Sequence, residues 1–308
     1  MKVMDIAVFL LLFIVAAFAI YMLWLELPGA TEQFQNVNFS ASAQKSYDNG
    51  TQFYPNMRYP SGNISFSIAS VCDSKKETDA ITAFGILQDK TILTFYQVPS
   101  NGEIQILCSD IAPEPTDAGH FIAGEGGPRD ILNFSGQLYV ISSGRVSLYK
   151  TDNCKEPNIA IHEILHALGF DHNKNPNSIM FPITSCSETL DKYITDEINL
   201  LYKTPSLPDI QIVNASAVKN GRFLSFNVDV ANYGLANADD VNLTLYNQNQ
   251  RIADYDLNKV SMGIIKKISV DNLPIPRDTT EIKMIAYLTD GGQEISSSNN
   301  QVELSISS

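Results

Sequence analysis

Histidine and positive charge are both scarce in this chain. Its 308 residues include four histidines, and 21 Lys and Arg stand against 34 Asp and Glu, a net charge of −13. A surface this acidic repels phosphate instead of displacing counterions from it, which argues against a nucleic-acid partner. Cysteine is as sparse, with Cys72, Cys108, Cys154 and Cys186 alone, and no two are spaced CxxC, so a cysteine-built zinc site is not expected. In an exported chain four cysteines can form two disulfides, with three pairings open. No internal repeat is apparent. Long apolar runs are missing too, with one exception at the N-terminus.

That exception runs from Ile6 to Leu25 (IAVFLLLFIVAAFAIYMLWL) without a charge. As a helix it would cover about 30 Å, the thickness of a bilayer core. Asp5 and Glu26 bound it, Tyr21 and Trp24 sit near its end where amphipathic rings favour the interface, and Lys2 biases the short N-terminus toward the cytoplasm. Residues 1–27 are therefore expected to be a single-pass anchor at the cell membrane, with the N-terminus inside and the rest of the chain outside. The alternative is a secreted protein, for which Ala17-Phe18-Ala19 would be the cleavage signal, although that cut would fall inside the apolar run. Six NxS/T sequons, beginning at Asn38, Asn49, Asn63, Asn133, Asn214 and Asn242, all follow the run. Residues 28–56 are polar, with little apolar periodicity, and are expected to be a stalk.

Beyond the stalk the pattern divides. Residues 57–205 mix helix and strand signals, while 206–308 hold strand signals only, which predicts an α+β domain followed by an all-β one. In the first domain, Ala80, Ile81, Phe84 and Leu87 make a helical stripe ahead of the β-rich run ILTFYQV. In the second, FLSFNVDV (223–230), VNLTLY (241–246), EIKMIAYL (281–288) and QVELSI (301–306) alternate apolar and polar residues. With Gly and Pro turns between them, these predict an Ig-like sandwich of about seven strands.

Three of the four histidines fall in the eleven residues HEILHALGFDH, 162–172. His162 and His166 are four apart, and Pro157 precedes a run of helix formers, so both imidazoles project from one face of a helix and can reach one ion. Glu163 stands beside the first of them, where a carboxylate reaches a water on the ion. Gly169 can take the left-handed conformation that ends the helix and turns the chain back, bringing in His172 as a third ligand. Three nitrogen ligands with one position left for water is the arrangement of a catalytic zinc.

This segment resembles the zinc signature of the metzincin peptidases, and its HALGFDH half is most similar to the matrixin branch. Met180 in NSIMFP resembles the Met-turn beneath the metal. AITAFGILQDKTILTFYQV (80–98) resembles the backing helix and first-sheet strand, and SETLDKYITDEINLLY (187–202) the closing helix, with Thr195 as its expected N-cap. The resemblance implies a twisted mixed sheet with backing, active-site and closing helices. It also implies one catalytic Zn2+ on His162, His166 and His172, Glu163 as general base, Pro182 in the wall of the substrate pocket, and a protein or peptide substrate. Residues 137–150 are either an edge strand that would pair with that substrate or an ordinary strand of the sheet. The family fold brings the segments of Cys154 and Cys186 together, which pairs these two and leaves Cys72 with Cys108.

Departures from the vertebrate matrixin pattern are as informative. No PRCGxPD-like switch occurs, Thr184 stands where a pocket tyrosine is usual, and His120 alone remains outside the signature, too little for a structural zinc site; calcium is left open. VDVANYGLANADDVNLTLY and SSSNNQVEL resemble the CARDB type of surface module, which could contact the cell envelope. The expected function is a membrane-anchored extracellular zinc metalloendopeptidase; the alternative is an adhesion or envelope structural protein with a vestigial protease fold.

Overall fold

A computed structural model describes the backbone of residues 31–38 and, in fuller detail, residues 52–114, 122–134, 138–183 and 185–306. The apolar run Ile6–Leu25 lies outside the described residues. Among the described residues no helix is long and apolar enough to cross a membrane.

The first domain is built on a six-stranded sheet. Its strands are β2 (Met57–Arg58), β3 (Asn63–Ile68), β4 (Thr94–Gln97), β5 (Ile104–Cys108), β6 (Gly124–Phe134) and β7 (Leu138–Leu148). The sheet order is β2-β7-β5-β3-β4, with β6 on β7. The β3–β4, β3–β5, β5–β7 and β2–β7 pairs are parallel, whereas β6 runs antiparallel to β7. Because β2 and β5 pair with successive stretches of β7, β6 has the other side of β7 to itself and, among the described residues, forms an open edge. Of the two readings of residues 137–150, a substrate-pairing edge and an ordinary sheet strand, the second holds: the segment is the interior strand β7. Both segments read as β from their composition, and only the pairing order distinguishes an edge from an interior.

Helix α1 (Ser74–Lys90) crosses between β3 and β4, as a parallel pair requires. Asp73 caps it, its carboxylate accepting from the amides of Lys75 and Lys76. The helix buries Ala80, Ala83, Phe84 and Leu87, and Phe84 stacks on Phe66 of β3 at 4.1 Å. Ile81, read as part of the buried stripe, is 45% exposed, because one residue beyond Ala80 turns about 100° away from the sheet. Helices α2 (Asn158–Ala167) and α3 (Lys192–Leu201) complete the domain. The closing helix begins at Lys192 after Asp191 at the N-cap position, so Thr195, expected to cap it, stands inside the first turn with its hydroxyl on the Lys192 carbonyl. Ahead of the helix, Thr189 forms a bridge with Ser178. Ile194 and Ile198 bring α3 into the same core as Phe84, Ile104, Ile164 and Met180.

The second domain stacks two antiparallel sheets, β1-β12-β9-β8 and β11-β10-β13-β14. Seven of these strands come from the C-terminal hundred residues: β8 (Ile210–Asn220), β9 (Phe223–Asn232), β10 (Ala238–Asn247), β11 (Gln250–Val260), β12 (Ile264–Pro274), β13 (Glu281–Leu288) and β14 (Gln301–Ser305). Alternate residues point inward, as Ile282, Met284, Ala286 and Leu288 do along β13. The eighth, β1 (Thr31–Asn38), belongs to the stretch expected as a stalk, and its backbone pairs along β12 from Thr31 opposite Asp271 to Asn38 opposite Ile264. That stretch therefore does more than span distance. A strand added to a sheet edge is held by main-chain hydrogen bonds, which leave no apolar period to read.

Two features join the domains. Val140 of β7 packs on Leu235, with Leu132, Leu138, Tyr233 and Met262 around them. The buried Arg58 guanidinium donates to the carbonyls of Leu201 and Thr204, at the end of α3 and the start of the linker, and its carbon lies 4.2 Å from the Tyr202 ring centre.

Candidate metal centre and active site

The site is assembled at the C-terminal half of α2. Pro157 stands at its N-cap position, and Asp152 reaches back to accept from the Ile159 amide, satisfying one of the four free N–H groups that a helix start leaves. The helix ends at Ala167, and Gly169 then takes φ +99°, a conformation that a side chain would strain. Space also requires glycine there, since a Cβ would lie 2.7 Å from Met57 Cγ. This turn brings His172 back to α2.

The three Nε2 atoms converge on one point. His162 to His166 is 3.0 Å, and His172 is 3.1 Å from each. Two of the rings are locked from behind, His162 Nδ1 donating to the Ile179 carbonyl at 2.6 Å and His166 Nδ1 to the Phe170 carbonyl at 2.7 Å. With Nδ1 holding the proton, Nε2 must present a bare lone pair, so acceptor atoms face one another without a hydrogen between them. A cation resolves that arrangement, and neutral imidazole is a ligand well matched to zinc. Burial keeps the rings neutral: it lowers His162 to about 4, against the opposing Ile179 bond, and His166 to about 3, with His162 adding to the effect. Among the described residues these three form the group of His, Cys, Asp or Glu side chains suited to hold a metal ion.

Glu163 is buried beside them, and burial raises its carboxyl to about 8, with the charge of Glu125 adding to the effect. What covers it is the start of β6. A Cβ on Gly124 would lie 2.6 Å from Glu163 Cγ, and one on Gly126 would lie 2.1 Å from the Glu163 carbonyl oxygen. The two glycines thus let the sheet lie directly on the His162–His166 segment of the helix. Glu125, between them, faces the other way and accepts from the Tyr149 hydroxyl at 2.6 Å, which raises that phenol.

Met180 is buried beneath the site, and the Asn173 amide donates to its carbonyl at 2.9 Å, tying the His172 loop to the Met-turn. Pro182 is exposed, and Thr184 and His120 lie outside the described residues. Disulfides join Cys72 to Cys108 and Cys154 to Cys186, the pairing that the resemblance implied. Beside the site, a cavity of about 590 Å3 is lined by Ala123, Lys150, Ile159, Ser185 and the Cys154–Cys186 bridge. The segment behind this bridge is held to α2 by Asn158, whose amide donates to the Ser185 carbonyl at 3.0 Å, while Glu188 accepts from the Ser185 amide at 2.7 Å.

Several of these partners escaped the sequence reading. The Ile179 and Phe170 carbonyls carry no side-chain signal. Gly124 and Gly126 stand in the run GEGG, where glycine in a strand marks a close approach of backbone.

With this geometry in view, residues 59–202 match the family model described as matrixin, and residues 207–303 match the model described as CARDB. The chain carries a matrixin domain followed by a CARDB module. No curated protein matches it. Among solved structures it is similar to the CARDB domain of a Pyrococcus furiosus protein in complex with di-metal ions, at 14% identity over 33% of this chain and 90% of that one, with a TM-score of 0.28. It is also similar to OgpA from Akkermansia muciniphila, at 9% identity over 86% of this chain and 96% of that one, with a TM-score of 0.22. Likenesses this distant carry no inference about activity. The matrixin match itself indicates a metallopeptidase domain, and the CARDB match fits a role at the cell surface.

Proposed function

We propose that the matrixin domain is a zinc-dependent endopeptidase that hydrolyses peptide bonds in proteins outside the cell. The observation that carries this reading is the convergence of three Nε2 lone pairs, two of them fixed by Nδ1 hydrogen bonds, immediately beside a buried carboxylate. Bound by His162, His166 and His172, a single zinc ion supplies Lewis acidity and lowers the pKa of water toward neutrality.

The chain's own residues do the rest. Glu163 takes a proton from the attacking water and returns it to the leaving amine, the two transfers that one buried carboxylate beside the three histidines can serve. The open edge of β6 offers main-chain donors and acceptors to an extended peptide, and its glycines keep that edge close to Glu163. Ile179 and Phe170 hold the imidazoles in the ligating tautomer.

The same reading places the domain beyond a membrane, tethered by Ile6–Leu25 with the N-terminus inside. Two disulfides support an oxidising compartment, and the uncharged run supports the tether. A CARDB module beside the protease fits a surface role, and contact with another envelope component would be its contribution.

The test is zinc content by elemental analysis together with cleavage of an unfolded protein. One zinc per chain, with cleavage blocked by a chelator and restored by zinc, supports the reading. Bound zinc without cleavage would make the fold vestigial, and the adhesion or structural role would replace it. Proteolysis of intact cells tests topology: loss of residues 28–308 from the outside supports the anchor, and an intact protein in the medium would make it secreted.

A further inference from the structure

The stretch just ahead of the matrixin sheet closes on the turn that carries the third histidine. Helix α2 ends at Ala167, and a helix end leaves carbonyls without partners inside the helix. Two carbonyls around this end are met from the N-terminal side of the chain. The buried Tyr59 hydroxyl donates to the Ala167 carbonyl at 3.2 Å, and the Phe53 amide donates to the Gly169 carbonyl at 2.9 Å. Gln52 pairs with Phe170 in an antiparallel bridge. Its side chain also grips the backbone of Met57, donating to the carbonyl at 2.6 Å and accepting from the amide at 3.2 Å, and the Met57 side chain lies against Gly169. The half-buried Phe53 ring stacks on the His166 imidazole, with centroids 5.7 Å apart and planes 28° from parallel.

We propose that Gln52 and Phe53 are positioning residues of the metal centre, bracing His166 and the Gly169 turn for a bound zinc. The brace rests on the zinc reading of the three histidines and not on whether the domain cleaves peptides. Glycine gives the turn its left-handed residue and also its freedom, so the backbone that delivers His172 needs outside contacts to hold one geometry. The Phe170 carbonyl fixes the His166 tautomer at 2.7 Å, and Phe170 is the residue with which Gln52 pairs. An aromatic ring stacked on the imidazole restricts its rotation and keeps water from that face.

The position of the two residues in the chain has a consequence. Both stand at the end of the stretch expected as a stalk and ahead of residue 59, where the matrixin match begins. The metal-binding unit therefore extends at least to Gln52, and the chain that leads into the domain is one wall of its ligand set.

Zinc affinity, measured on the full chain in detergent by competition with a chromophoric chelator, tests the brace. Phe53→Leu keeps an apolar side chain without the ring and is expected to bind zinc about tenfold more weakly. Phe53→Tyr keeps the ring and is expected to retain native affinity. Tyr54→Leu is the control, since the Tyr54 ring stacks on Tyr139 of β7 at 4.7 Å, and it should leave zinc affinity unchanged. The visible absorption of the cobalt(II)-loaded chain, which reports ligand geometry, should change in Phe53→Leu and not in Tyr54→Leu. Should Phe53→Leu not fold, Gln52→Ala, which releases Met57, takes its place with the same expected loss. Native affinity in that variant would overturn the brace while leaving the zinc site intact, and an equal loss in Tyr54→Leu would overturn it by showing a general loosening of the segment. A native chain that binds no zinc would remove the metal centre itself, and the brace with it.

Discussion

In the matrixin domain the buried polar side chains include six that can ionise, Arg58, Lys76, His162, Glu163, His166 and Glu188, whereas those fully buried in the CARDB module are Asn232, Thr244, Thr279 and Asn300, all neutral. The contrast separates two uses of a core. In the module, alternating strands bury Leu, Val and Ile from two facing sheets, and burial of apolar area is the main stabilising term. In the matrixin domain, burying an ionisable group costs several kcal/mol unless it is neutralised or paired. Arg58 is held by carbonyls, Lys76 by Asp110 at 2.6 Å, and His162 and His166 stay neutral. One domain is organised around stability and the other around a site that stability must tolerate.

The comparison breaks most sharply at Glu163. Replacement by Gln preserves shape and zinc content but cannot accept a proton, and kcat is expected to fall by about 10² to 10⁴. Activity near that of the native protein would remove Glu163 from the chemistry. His172→Ala removes an exposed ligand, so zinc affinity should fall while the fold remains; equal zinc content would refute the three-histidine assignment.

Stability effects come next, and they should stay within one domain. Replacing Cys154 and Cys186 by Ser opens a link spanning 32 residues and is expected to destabilise the matrixin domain by about 3 to 4 kcal/mol in the chain-entropy model. The unfolding transition of the CARDB module should not move, and a shift in both would show coupled domains. Leu243→Ala makes the converse test, costing the module about 2 to 4 kcal/mol while leaving zinc content unchanged. The smallest contrast is between neighbours on β6. Gly126→Ala drives a methyl against the Glu163 carbonyl and is expected to cost about 1 to 3 kcal/mol, with loss of activity, whereas Gly127→Ala meets nothing within 4 Å. Equal activity in the two variants would show that β6 does not bear on the helix.

Legibility followed the range of the interaction. The spacing of His162, His166 and His172 was readable because a helix turn and a glycine reversal are local, and Pro157 and Gly169 mark both ends of the segment. Alternation along Phe223–Asn232 and Glu281–Leu288 likewise announced strands. Long-range pairings were not legible. Nothing local says that Gly124, thirty-nine residues before Glu163, will lie against it, that β7 is interior, or that Thr31–Asn38 will pair with β12.

What the sequence determined by itself, then, is the chemistry available and its local order: three imidazoles and a carboxylate on one helix and turn, an α+β domain ahead of an all-β one, and cysteines for two bridges. What only the tertiary structure decided is which groups those residues face. Ile179 and Phe170 set the histidine tautomers through backbone carbonyls, and a glycine edge covers Glu163. Glu294 meets the Ile210 amide across eighty-four residues. The physical reason is that backbone hydrogen bonds and burial carry no residue signature at the position they act on, because every residue has a carbonyl and only the folded chain determines which one is near.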